Sequence, residues 1–193
     1  MRRVARVLKL ALSGLALGGL VAGVVALVYL EVFATRDYAL SSGSLDKTCE
    51  EPGRTAFPAA PAYAGNGPHP IWIKDGSLTS KTKPMPAAWT PKPAEVQLIA
   101  CEVGQTPGGY LGSCDFDWPE ERTIRVTAMT YEFEVYEART GRRIGKAPVQ
   151  SISVLDCPSM AWIKMDDRPE ILAPPGYQQF EAGLGEFVAR PVG

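Results

Sequence analysis

From Leu10 to Leu30 the chain runs for 21 residues without a charge. As a helix at about 1.5 Å per residue, such a run spans roughly 30 Å, the thickness of a bilayer's hydrocarbon core. Arg2, Arg3, Arg6 and Lys9 precede it, with no acid among residues 1–9. Glu31, Arg36 and Asp37 close it, and Tyr29 and Phe33 mark its outer edge. The pattern predicts one transmembrane helix over residues 10–30. The basic residues 1–9 stay in the cytoplasm, and everything beyond residue 30 lies outside the cell membrane. A cleaved signal peptide is the rival reading, because Val32, Phe33 and Ala34 would suit a peptidase; its apolar stretch is normally about 7–15 residues, shorter than this one.

Small residues recur along the run. Gly14, Gly18, Ala22 and Ala26 lie four apart and share one helix ridge. Such ridges let helix backbones approach closely in lipid, so self-association or a second membrane protein is an expected partner. The simpler reading is that Gly and Ala are frequent in membrane helices anyway.

The net charge of −1 conceals an asymmetry. Beyond residue 9 there are 16 basic and 21 acidic residues, a formal charge of −5. That balance argues against nucleic acid as a partner, since phosphates reward clustered Lys and Arg.

Residues 31–61 are rich in Pro, Ser and Gly without sustained periodicity and read as a tether. Tyr63, Ile71, Trp72, Ile73 and Trp89 bring apolar bulk, so the outer domain is expected over 62–193. Strand patterns dominate it. His69–Lys74 and Glu95–Cys101 are short candidates, and 124–137 is the longest. In the last, Ile124, Val126 and Ala128 share one parity, whereas Tyr131, Phe133 and Val135 share the other. The flip predicts a bulge near 128–130 or burial on both faces. Glu132 and Glu134 should face water. Residues 138–142 read as a hairpin turn, Arg143–Leu155 as a return strand edged at Pro148, and Tyr177–Ala189 as a short helix weakened by Gly183 and Gly185. The expected fold is mainly β, a small antiparallel sandwich or meander with a short C-terminal helix, preceded by the transmembrane helix.

The four cysteines, Cys49, Cys101, Cys114 and Cys157, all follow the apolar run. An even count in an oxidising compartment favours disulfides, with three possible connectivities. Cys101 and Cys114 flank a glycine-rich break at Gly104, Gly108, Gly109 and Gly112, which favours Cys101–Cys114 across a hairpin and leaves Cys49–Cys157. No close pair suits a zinc site or a redox dithiol.

Chemical signals are sparse. His69, between Pro68 and Pro70, is the only histidine. That rules out a multi-histidine metal site, and packing at a strand entrance is its simplest role. Asp115, Asp117, Glu120 and Glu121 form the densest acidic cluster. Their spacing would suit a hard cation such as Ca²⁺, but the order of an EF-hand loop is absent and a solvated turn is the plainer reading. Asp166 and Asp167 are a second acidic pair beside Arg168 and Pro169. Trp72, Trp89, Trp118 and Trp162 would serve a sugar or peptide groove, or simply the core. There is no nucleophile elbow, phosphate loop or dinucleotide fingerprint, and no motif calls for a cofactor or a metal.

Tyr63, Gly65 and Gly67 to Pro70, then Val96 to Cys101, Cys114, Ala138 to Gly141, and Cys157 with Pro158 together resemble a group of uncharacterised exported bacterial proteins. The resemblance covers residues 62–160. It implies an exported domain starting near residue 62, with no activity, cofactor or partner attached. Cys49 lies outside the shared pattern, so the resemblance implies that Cys157 pairs within the domain.

These features lead to a membrane-anchored extracytoplasmic interaction module as the expected function, an accessory subunit bound to another membrane or envelope protein. The alternatives are an envelope domain binding peptide, glycan or Ca²⁺, and a carboxylate-dependent hydrolase.

Overall fold

The computed structural model describes residues 36–74, 85–117, 121–155, 157 and 169–193. The expected membrane helix, with Gly14, Gly18, Ala22 and Ala26, lies outside the described residues. No helix among the described residues is long and apolar enough to cross a membrane. The expected fold class is corrected to that extent: a transmembrane helix is no part of the fold that the described residues form.

The chain divides into residues 1–36 and a compact unit of residues 37–193. The second unit therefore begins well before residue 62. Two short strands, β1 (Arg36–Asp37) and β2 (Thr55–Ala56), pair with each other, and the Tyr38 N–H continues their ladder to the Ala56 carbonyl. Between them lie two single-turn helices, α1 (Ser42–Leu45) and α2 (Lys47–Glu50). Ser41 caps α1: its hydroxyl accepts from Ser44 N–H, and the Ser44 hydroxyl accepts in return from Ser41 N–H. Leu45, Phe57 and Ala60 of this stretch are buried. The composition suggested a tether because these apolar residues follow no period; they are fixed by packing instead.

The main sheet has five strands: β3 (Ile71–Ile73), β4 (Leu98–Phe116), β5 (Arg122–Glu137), β6 (Arg143–Gln150) and β7 (Glu170–Leu172). Their order is β3-β4-β5-β6, with β7 against β5. β4, β5 and β6 are antiparallel, but β3 runs parallel to β4 and β7 parallel to β5. The sheet is therefore mixed, not an antiparallel sandwich or meander. β6 occupies Thr130 to Tyr136 of β5, and β7 continues along the same edge at Arg125 to Thr127. The mainly β character and the short C-terminal helix, α3 (Tyr177–Ala189), are as expected.

Both sheet faces are covered near β3. Leu98, Ala100, Tyr131, Phe133 and Val135 pack under Phe180, Leu184 and Phe187 of α3. Ile99, Cys101 and Tyr136 point the other way, onto Leu45, Phe57 and Ala60. Strand residues alternate between faces, so residues 37–61 form a third layer opposite α3. At the far end of the β4–β5 hairpin, Val126 and Cys114 pack with Ala173, Ile152 and Ile171. The parity flip in β5 is thus burial on both faces, at different ends of one strand. Glu132 and Glu134 are half-buried, paired with Lys146 and Arg143 at 3.3 and 3.1 Å.

The glycine-rich stretch expected to break the strand is strand throughout. β4 spends 19 residues against 16 in β5, and the surplus sits in three register shifts, between Glu102/Gly104, Pro107/Tyr110 and Tyr110/Gly112. Bulges tolerate Gly where regular pairing does not. This overturns the favoured disulfide pattern. Cys101 and Cys114 lie on one extended strand, roughly 40 Å apart at about 3.3 Å per residue, beyond the reach of a disulfide. The bonds are Cys49–Cys101, which ties the third layer to β4, and Cys114–Cys157, which ties the outer end of β4 to the segment after β6.

Candidate functional site

The loop 62–70 docks the end of α3. A helix leaves its last carbonyls without intrahelical donors, and this loop supplies them. The Tyr63 hydroxyl donates to the Phe187 carbonyl at 2.9 Å, and His69 N–H donates to the Val188 carbonyl at 2.7 Å. His69 Nε2 lies 3.0 Å from the Arg190 carbonyl, which only accepts, so that nitrogen carries a proton. Its Nδ1 faces the Gln97 side-chain amide at 2.6 Å. Gly65 and Val192 exchange both backbone hydrogen bonds. The loop is held from behind by Glu137, whose carboxylate accepts from Tyr63 N–H and from the Thr140 hydroxyl. His69 is buried and fully engaged; its part is the structural one.

The close approach needs Gly67. A Cβ there would stand 2.8 Å from both the Val188 and Ala189 carbonyl oxygens, nearer than real contacts allow. The Gly67–Pro68 peptide bond is cis, and Pro68 is exposed beside the helix at this turn.

That turn forms one rim of a cleft of about 430 Å³. Gly67 and Pro68 face Glu181, Gly185, Val188 and Ala189 of α3, and Trp89 closes the side. Trp89 stands edge-on to Tyr177 at 5.7 Å. The Tyr177 hydroxyl donates to Glu181 Oε1 at 2.8 Å. Burial, and then the Glu181 hydrogen bond and charge, push the Tyr177 phenol above its ordinary pKa, so it stays a donor through the neutral range. Glu181 is exposed at the mouth. Gly185 leaves the floor open: a Cβ there would meet only Glu181 Cγ, at 3.9 Å. The cleft thus offers apolar walls, one oriented carboxylate and the carbonyl end of a helix, a set suited to recognition.

The expected site residues are distributed elsewhere. All four cysteines are in disulfides. Asp115 accepts from the Thr123 hydroxyl at 2.6 Å across the hairpin, Asp117 and Glu121 are exposed, and Glu120 lies outside the described residues. Among the described residues no group of acids, cysteines and histidine is arranged to hold a metal ion. Trp72 donates its indole N–H to Asp46 at 2.9 Å, while Trp118, Trp162, Asp166 and Asp167 lie outside the described residues. Of the tryptophans singled out from sequence, Trp89 borders the cleft. Glu181 and Gly185 were missed. Their i, i+4 spacing put them on one helix face, but Gly185 registered only as a weak point.

Comparison with known proteins finds no matching family model, no matching curated protein and no matching solved structure.

Proposed function

We propose that the chain is a membrane-anchored extracytoplasmic interaction module, which holds another envelope protein through the cleft between the Gly67–Pro68 turn and α3. Attachment is supported by the basic start and the uncharged run of residues 10–30 in the sequence. An outer location is supported by the two disulfides, which persist in oxidising compartments. The observation that carries the interaction reading is the cleft itself. It is open, mainly apolar, and built on a helix and a loop that at least five hydrogen bonds tie to the end of that helix and the residues just after it.

The test is affinity purification of the full-length chain from native membranes in an uncharged mild detergent, with mass spectrometry of what copurifies. A companion in fixed ratio is expected, lost when Gly185→Leu fills the cleft floor. A wild-type chain that emerges alone as a monomer would overturn the reading.

A further inference from the structure

Resting on that interaction reading, we infer that the cleft takes the side chain of an arginine or lysine from the partner polypeptide. The lining residues decide the chemistry. Among the described residues that line the cleft, Glu181 is the only charged one, and Tyr177 holds its Oε1, fixing the carboxylate while leaving Oε2 to a ligand. The other polar contribution is the last turn of α3, which carries the negative end of the helix dipole. The cation that follows this turn, Arg190, does not neutralise the cleft. Its guanidinium lies 5.7 Å from the Tyr63 ring and 5.1 Å from the Phe187 ring, and its Nε donates to the Tyr63 hydroxyl. These rings belong to the buried side of the helix, not to the cleft.

The walls complete the match. Pro68, Trp89 and Val188 are apolar. They suit the methylene stem of a long basic side chain, whose head group then reaches the carboxylate at the mouth. A neutral apolar anchor would strip water from Glu181 and return nothing for it. An acidic anchor would meet both Glu181 and the helix end with the wrong sign. The open floor at Gly185 admits the stem.

The full-length chain in an uncharged detergent is titrated with Nα-acetyl-arginine amide, Nα-acetyl-lysine amide and, as the uncharged control, Nα-acetyl-norleucine amide. Backbone amide shifts of Glu181, Gly185 and Ala189 and the indole N–H of Trp89 are followed by NMR. Both cations should give saturable shifts at these positions, with affinity about two- to fivefold above norleucine amide, as a charge-assisted contact at an exposed carboxylate implies. Glu181→Gln should bring the cations down to the norleucine level with the rest of the spectrum unchanged. Gly185→Leu should abolish binding of all three. Equal binding of norleucine amide and the cations, or no shift at these positions, overturns the inference. In the purification experiment, a companion kept by Glu181→Gln but lost by Gly185→Leu overturns the basic side chain while sparing the interaction module. No companion for the wild-type chain overturns both.

Discussion

His69 reaches two other stretches of chain through one ring and one N–H: Gln97 in one, Val188 and Arg190 in the other, the last of them 121 residues away. Replacing it with Ala removes a buried ring and leaves the Arg190 carbonyl without its donor, while the backbone N–H bond to Val188 remains. His69→Ala should therefore destabilise the fold by about 2–4 kcal/mol, measured by urea unfolding of the full-length chain. Tyr63→Phe, which removes one hydroxyl and keeps the ring, should cost about 1 kcal/mol. Tyr136 makes a different prediction. Burial first, and then the hydrogen bond to and the charge of Glu134, push its phenol from 10.0 to about 12, with Arg143 pulling the other way. The folded state thus prefers the neutral phenol more strongly than the unfolded chain does. Its contribution is complete below pH 10 and is lost as the pH climbs from 10 through 12. Unfolding midpoints at pH 9, 10.5 and 11.5 should fall more steeply in wild type than in Tyr136→Phe. The sequence made the lone histidine visible. It did not reveal partners so distant along the chain, and the flanking prolines suited a ligand loop as well as a capping loop.

Among the elements, α3 was legible because Phe180, Leu184, Phe187 and Val188 recur at helical spacing. Its two glycines were not separable from sequence, since both carry the same propensity penalty. The packing separates them. A Cβ at Gly183 would sit 2.7 Å from the Pro148 carbonyl oxygen and 2.8 Å from Val149, whereas at Gly185 it meets nothing closer than 3.9 Å. Gly185→Ala should therefore raise stability by up to about 1 kcal/mol, as it removes backbone freedom from the unfolded chain. Gly183→Ala should lower stability by roughly 1–3 kcal/mol by forcing the helix off β6. Thermal melts of the two variants side by side would check the opposite signs. β4 shows the converse failure of legibility. Gly104, Gly108, Gly109 and Gly112 carry the usual mark of a turn, but a bulged strand uses the same residues. The partner strand that decides between the two lies across a hairpin whose register the local sequence does not specify.

At the scale of the whole molecule, the two disulfides are what most separates the observed fold from the expected one. Each closes a loop of similar length, with separations of 52 and 43 residues, and on chain-entropy grounds each contributes about 4 kcal/mol. Peptide mapping without reduction should recover Cys49 linked to Cys101 and Cys114 linked to Cys157. The double replacement of Cys49 and Cys101 by Ser should lower stability by about that amount and raise hydrogen exchange first in residues 37–61, the layer that the bond pins to β4. That layer also bears on legibility. Its burial depends on Leu45, Phe57 and Ala60 meeting Ile99 and Tyr136, contacts that composition cannot encode, so a Pro- and Ser-rich stretch passed for solvent-exposed chain.

The bridges join the cysteines in consecutive pairs: the first to the second, the third to the fourth. In a chain exported amino end first, Cys101 would be the first thiol to arrive after Cys49, and that pair would be spent before Cys114 appeared. Cys157 would then find a single thiol waiting. An oxidase that simply joins cysteines in order of arrival would produce the native pattern at the first attempt, with no shuffling to correct.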